Sequence, residues 1–302
     1  MLKQHGFKDF LEALTNKRML VVLLLGFCSG LPIMIVYGSI KIWLRRNNIE
    51  LSTIGFFSLI SLPYSLNFLW AFLFDRYIPL KKLGRRRSWL ILTQVFLFFS
   101  FGLLALGDPT ETNGFYSGLN TVLCSVSSST CEVDSSLLYI FIVGFVLCFF
   151  SASQDVAVDA YRNEILHKDE LGIGASIGIY GYRIGMWIAS GFGLMMVDPN
   201  FIGLSFQQMF FFMGILILLG TGISFWADEP NGDVQEHKSI FDSLIKPFVE
   251  FFKRDRAFVI LFFAALARNS YSEEIYDHGA FSKPYHEHHK QRSEPFHLHK
   301  DD

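Results

Sequence analysis

Cysteine is scarce in this chain, four residues in 302, too few for a disulfide framework. Cys28 and Cys148 lie inside apolar runs, where a thiol packs as a small hydrophobe. Cys124 and Cys131 share a polar loop without Lys or Arg, and a bridge between them stays open if that loop faces an oxidising compartment. Charge is scarce too: 18% of residues, with a net of -2. That balance by itself argues neither for nor against a nucleic-acid partner, and none is expected because the charges lie in loops. No polar stretch is long enough for a soluble domain, which leaves a peripheral enzyme without a body. An intramembrane aspartyl enzyme needs its two acids on facing helices, whereas Asp155 and Asp159 fall on one, so no enzyme is expected. No small-residue cleavage site follows the first apolar run, which also exceeds a signal h-region, so it reads as a retained span.

Apolar residues are what the chain has in quantity. They make up 51%, and 33 of the 302 residues are Phe, an excess that suits lipid-facing surface better than a soluble core. Six runs are long enough to cross ~30 Å of hydrocarbon: residues 19–43, 54–74, 89–106, 137–157, 173–197 and 206–227. The predicted organisation is a basic cytoplasmic lead over 1–18, a six-span bundle over 19–227 and a charged cytoplasmic linker over 228–256. An incomplete seventh span of 11 apolar residues over 257–267 follows, then a polar tail over 268–302, expected to be disordered, that holds six of the nine histidines. His-rich tracts sometimes bind metal, but the spacing of His286, His288, His289, His297 and His299 matches no defined site, and neither metal nor cofactor is expected. With the N-terminus inside, inner segments hold 17 Lys and Arg, against Lys41, Arg45 and Arg46 outside. The positive-inside rule therefore predicts a cytoplasmic N-terminus.

The most informative stretch ends the fourth run: Ser151-Ala152-Ser153-Gln154-Asp155-Val156-Ala157-Val158-Asp159-Ala160-Tyr161-Arg162. At ~100° per residue, Asp155, Asp159 and Arg162 share one helix face. A carboxylate in hydrocarbon is costly and usually faces a water-filled cavity or a partner charge. Burial disfavours the charged form of Asp155 and a nearby arginine favours it, so its protonation can follow the conformational state. Asp159, Arg162 and Gln154 are candidates for the accompanying gate. Arg183, near the middle of the fifth run, is expected to face the cavity, either pairing with Asp155 or meeting an anionic substrate; a static ion pair between neighbouring helices is the competing reading. Ser29, Tyr37, Lys41, Tyr64, Asn67 and Tyr182 are further polar candidates for the lining, with local packing or interface anchoring the alternative for each. Between the second and third runs, Asp75-Arg76 and Gly84-Arg85-Arg86-Arg87 read as a charge latch made in one conformational state and broken in another. Gly174, Gly178, Gly181, Gly185, Ala189 and Gly193 form a small-residue strip suited to close helix approach.

These motifs resemble a known family. Gly26-Phe27-Cys28-Ser29-Gly30-Leu31-Pro32, Leu62-Pro63-Tyr64, Phe68-Leu69-Trp70-Ala71, Asp75-Arg76-Tyr77, Gly84-Arg85-Arg86-Arg87, residues 151–162 and Gly181-Tyr182-Arg183-Ile184-Gly185-Met186 look like the AmpG-type muropeptide permeases of the major facilitator superfamily. A weaker resemblance, through the Gln-Asp and later Asp pattern, is to acetyl-coenzyme A transporters. The resemblance implies an all-α polytopic fold, the six-helix N-terminal bundle of a major facilitator, built from two three-helix repeats. It implies a proton-linked importer of anhydro-muropeptides in a bacterial inner membrane, with the lipid bilayer, a glycopeptide substrate and protons as partners. It also implies that the glycine strip of the fifth span faces a second half. Ala71 departs from the superfamily's usual glycine, and the loop from Asp75 to Arg85 is longer. Superfamily members have two six-span halves, so the expectation is a truncated chain that needs a separate C-terminal half or a homodimer. An acyl-coenzyme A or sugar carrier, or a non-transporting remnant, are the alternatives.

Overall fold

The computed structural model describes residues 15–110 and 135–230, together with Val249, Phe252, Lys253, Phe258 and Val259. Cys124 and Cys131, whose bridge stays open, the histidine tail, most of the lead and most of the seventh run lie outside the described residues. The chain divides into two compact units, Met1–Lys238 and Ser239–Asp302. In the second, Lys253 N–H donates to the Val249 carbonyl at 3.1 Å, and the Phe252 and Phe258 rings lie 6.1 Å apart.

The described residues of the first unit are helical throughout, with no strand among them. Helix α1, Lys17–Met34, starts where Asn16 accepts a hydrogen bond from Arg18 N–H at 3.0 Å, satisfying one of the amides a helix start leaves open. It runs through Pro32 into a π-helical segment, Ile35–Ser39, and then α2, Ile40–Arg46. The second predicted run is not one helix. It is α3 (Leu51–Phe56), a 3-10 segment (Phe57–Ser61), α4 (Leu62–Leu66) and α5 (Phe68–Arg76), with a 43° bend at Asn67. Ser58 and Ser61 hydroxyls donate to the carbonyls of Gly55 at 2.6 Å and Ser58 at 2.7 Å, bonds that compete with regular helix. Pro63, which has no N–H, sits at the start of α4, where none is needed.

Helices α6 (Arg85–Ala105) and α7 (Ser135–Ile165) pack antiparallel. The Phe96 and Phe150 rings stack between them at 4.6 Å, and Tyr139 hydroxyl donates to the Leu103 carbonyl at 2.8 Å. Helix α7 continues to Ile165, well past the expected end near Ala157, so all its charged residues remain helical. Helix α8 (Leu171–Trp187), a π segment (Ile188–Phe192) and α9 (Gly193–Val197) follow. Helix α10, Phe206–Trp226, opens on a capping box in which Ser205 and Gln208 satisfy each other's backbone amides at 3.2 and 3.0 Å. One buried cluster includes Trp43, Phe101, Ile140 and Phe210, and a second includes Val22, Leu90, Tyr161 and Ile177.

Among the described residues, four helices are long and apolar enough to cross a membrane: Lys17–Arg46, Arg85–Ala105, Ser136–Ile165 and Phe206–Trp226; the bent pair Leu51–Leu66 and Phe68–Arg76 makes a fifth if it counts as one span. The fifth predicted run is helical but is not among them. Its glycines contribute close packing rather than apolar surface.

That packing corrects one expectation. The glycine strip of α8 is not left for a second half to cover; Gly174, Gly178, Gly181 and Gly185 are buried, facing α1. A Cβ on Gly26 would overlap the Gly178 carbonyl oxygen, and one on Gly181 would overlap that of Leu23. The two backbones therefore touch directly, as small residues permit between helices in lipid.

Candidate functional site

The close approach of α1 to α8, with α7 alongside, leaves a cleft of about 140 Å³. Its polar lining is Ser29 from α1, Asp155, Asp159 and Arg162 from α7, and Tyr182 from α8. Three of the four charged residues of α7 thus share one face and open into one cleft, Glu164 being the exception. Ser29 hydroxyl donates to Asp155 Oδ1 at 2.7 Å, which gives the deeper carboxylate a neutral partner. Arg162 reaches back one helical turn to Asp159 at 3.0 Å, with 62% of the Asp159 side chain exposed. An exposed pair of this spacing contributes only about 0.3–0.5 kcal/mol, so its value lies in placing charge at the cleft mouth rather than in stability. The cleft is far below the ~300–1,000 Å³ of sites that enclose organic ligands; it has room for water or a small ion, not a disaccharide peptide.

Beside the cleft, the broken α4–α5 helix docks on α7 through two serines. Tyr64 hydroxyl and Ser151 Oγ share a hydrogen bond of 2.5 Å, and Trp70 Nε1–H donates to Ser153 Oγ at 3.0 Å. Asn67 sits at the bend between these two contacts, its carbonyl accepting from Ala71 N–H at 3.0 Å. The Tyr37 and Tyr64 rings lie 6.1 Å apart. Gln154 points elsewhere: it is fully buried and does not line the cleft.

Arg183 stands apart from this group. It is exposed on α8, on the side that also carries Ile179, Tyr180 and Trp187, and the pair expected between Arg183 and Asp155 is not among the ion pairs of the described residues. The fixed geometry of α8 explains this: its glycine face must meet α1, which turns position 182 into the cleft and position 183 away from it.

The second charged site lies where α6 begins. Arg86, 5% exposed, donates to Asp75 Oδ1 at 2.7 Å, to the Phe74 carbonyl at 3.1 Å and to both carboxylate oxygens of Glu164, one at 2.9 Å. Arg85 donates to the same Glu164 at 2.8 Å and to the Asp75 carbonyl at 3.2 Å. The two guanidinium groups thus clamp α7 to α6 and to the end of α5, using the fork geometry that lysine lacks. Glu229, just past α10, accepts from the backbone amides of Arg86 at 2.8 Å and Arg87 at 2.9 Å. It places negative charge at the positive end of α6. Arg87 answers by donating to the last carbonyls of α10, Phe225 at 2.6 Å and Ser224 at 3.3 Å. Gly84, at φ +84° and ψ -180°, makes the turn possible, and a Cβ there would overlap the Glu229 side chain. Arg76 takes no part in these ion pairs; its guanidinium lies over the Tyr77 ring at 5.7 Å.

Three functional positions were not singled out in these roles from sequence. Glu164 was passed over, although it stands two residues after Arg162 in the same polar stretch. Glu229, at the start of the charged linker, was passed over as well. Ser29 was one polar candidate of several, with nothing to pair it to Asp155, 126 positions away. Among the described residues no group of three or more His, Cys, Asp or Glu could hold a metal ion.

Comparison with known proteins adds a family. The profile described as acetyl-coenzyme A transporter 1 matches residues 18–227. The chain is 32% identical to the anhydromuropeptide permease of Escherichia coli over 258 residues, 85% of this chain and 47% of that protein. It is 34% identical to the putative transporter AmpG 1 of Rickettsia conorii over 221 residues, 70% of this chain and 46% of that protein. An uncharacterized protein of Haemophilus influenzae is 34% identical over 241 residues, 79% of this chain and 50% of that protein. The chain spans about half the length of the curated relatives it matches. The apolar helices and the transporter relatives make this a multi-pass membrane protein that resembles AmpG-type permeases, with a lipid bilayer as its surroundings.

Proposed function

The chain belongs to the acetyl-coenzyme A transporter 1 family, and we propose that it forms the N-terminal six-span bundle of a proton-linked carrier importing anhydro-muropeptides across a bacterial inner membrane. The substrate reading rests on the likeness to the Escherichia coli permease. The observation that carries the mechanism is the 2.7 Å bond from Ser29 to Asp155 across α1 and α7, at a cleft also lined by Asp159, Arg162 and Tyr182. Asp155 is the proton carrier in this reading: protonated, it keeps its bond to Ser29 without a charge to be neutralised, and ionised, it requires water or a cation in the cleft. Asp159 and Arg162 hold the mouth, and the Arg85, Arg86, Asp75 and Glu164 clamp is the latch that opens when α6 and α7 separate. The clustered Lys and Arg of 1–18 and 75–88 favour a cytoplasmic N-terminus. A cleft of about 140 Å³ carries the proton, not the glycopeptide. The substrate's wall is supplied jointly by this bundle and by a further half-length unit, either a C-terminal half or a second copy.

Uptake of labelled anhydro-muropeptide in a permease-deficient strain tests this, with and without a matching half supplied on a second gene. Expected is uptake that collapses when the proton gradient is dissipated and that Asp155→Asn abolishes. Gradient-dependent uptake that survives Asp155→Asn refutes the proton role. The family match supports a second reading, an acyl-coenzyme A carrier, which labelled acetyl-coenzyme A in the same assay separates from the first. Uptake of neither solute in any arm leaves the remnant reading.

A further inference from the structure

The bundle holds a second set of buried polar side chains, which the cleft does not use. Gln154 on α7 is 0% exposed, and neither its Oε1 nor its Nε2 has a hydrogen-bond partner among the described residues. Gln94 on α6 is also 0% exposed; Ser224 hydroxyl donates to its Oε1 at 2.7 Å, and its Nε2 has no partner. Exchanging O and N does not mend either group. Both atoms of Gln154 are orphaned, and turning Gln94 over transfers the deficit from its nitrogen to its oxygen.

The helix register puts the two glutamines at one level. Along the antiparallel α6–α7 pair, Arg86 meets Glu164 and Phe96 stacks on Phe150, so position 94 falls opposite Gln154 and its neighbours. Helices α1 and α10 close the same level: a Cβ on Gly220 would overlap Cys28 Sγ and lie 3.8 Å from Gln94 Nε2. Cys28 in turn adjoins Ser29, the donor to Asp155.

We propose that Gln94 and Gln154 bind ordered water at the level where α1, α6, α7 and α10 meet, an internal hydration site separate from the cleft. Buried amides are almost always satisfied, and internal water is the usual partner where no protein group reaches. Three orphaned atoms lie at this level, Gln154 Oε1 and Nε2 and Gln94 Nε2, and an internal water takes two to four polar contacts. It keeps the middle of a four-helix junction polar on both sides of α1, with Asp155 and Ser29 on one and Gln94 and Ser224 on the other.

The test uses the full chain, labelled with ¹⁵N-glutamine and ¹⁵N-leucine, in lipid nanodiscs under magic-angle spinning. Magnetisation transfer from water to the side-chain amides is the readout, with Gln94→Met and Gln154→Met to assign the signals. Transfer to both amides several-fold above that to the backbone amide of buried Leu97, and a fall at Gln94 in Gln154→Met, are expected. Transfer no greater than at Leu97, or a coupling that shows the two amides bonded directly to each other, overturns the proposal. Sequential assignment of the uniformly ¹³C,¹⁵N-labelled wild type identifies both amides even if neither variant folds, and the readout is independent of any transport reading.

Discussion

Replacing Gly84 by alanine strikes the joint between the start of α6 and the end of α10. The residue sits at φ +84°, ψ -180°, a region open essentially to glycine and costing other residues about 1–3 kcal/mol. The new Cβ would also overlap the Glu229 side chain. Expelling Glu229 removes its two bonds to the Arg86 and Arg87 amides, at 2.8 and 2.9 Å, and a lost cap of this kind costs about 0.5–2 kcal/mol. The expected total is about 2–5 kcal/mol, and each kcal/mol moves the midpoint of a domain this size by about 2–4 °C. Thermal unfolding of the purified protein in one detergent, compared across Gly84→Ala, Glu229→Ala and the double variant, reads it out. Glu229→Ala alone should cost only the cap. The double variant should cost less than the sum by about that same amount, because the clash and the cap share one side chain. A Gly84→Ala midpoint within 1 °C of wild type, or strict additivity, would refute the reasoning.

Three further outcomes follow from the same contacts. Arg86→Lys should destabilise nearly as much as Arg86→Gln, by about 2–4 kcal/mol, since a lysine cannot reach Glu164, Asp75 and the Phe74 carbonyl together; a lysine variant melting like wild type contradicts the clamp. Gly30→Ala places a Cβ against the Tyr182 carbonyl oxygen and should cost about 1–3 kcal/mol through overpacking, measured as a lowered midpoint and a lower cross-linking yield between cysteines placed on α1 and α8. Lys17→Ala removes a 2.6 Å pair with Asp228 whose partners are 40% and 58% exposed, so the midpoint should move by no more than about 1 kcal/mol allows, and a larger loss would place the pair in a structural role.

Most of the helical class was legible because hydropathy and period are local properties. Runs of apolar residues marked most helix ends to within a few positions, the end of α7 and the broken second run excepted, and the spacing of Asp155, Asp159 and Arg162 was enough to put them on one face. Where the reading strayed, it did so at places governed by another segment. The second run looked like one span, since Ser58, Ser61, Pro63 and Asn67 are each tolerated in a membrane helix; their combined effect, with Tyr64 and Trp70 drawn to the serines of α7, is a break. Arg183 was expected to face the cavity, pairing with Asp155 or meeting an anionic substrate; it does not line the cleft, and a pair with Asp155 is not among the ion pairs of the described residues. Glu164 and Glu229 were invisible as partners because an isolated glutamate in a loop-edge position is ordinary.

The amino-acid sequence by itself determined that this chain is helical, apolar enough for a membrane, and charged at a few particular places. These follow from residue chemistry and periodicity within one segment. Only the tertiary structure decided what each charge meets: Ser29 rather than Arg183 beside Asp155, Glu164 and Asp75 around Arg86, and Glu229 on the first amides of α6. Those pairings join positions from 11 to 143 residues apart. They depend on how closely helices approach and how each is rotated about its axis, which the glycines of α1 and α8 set by contact and no single segment encodes.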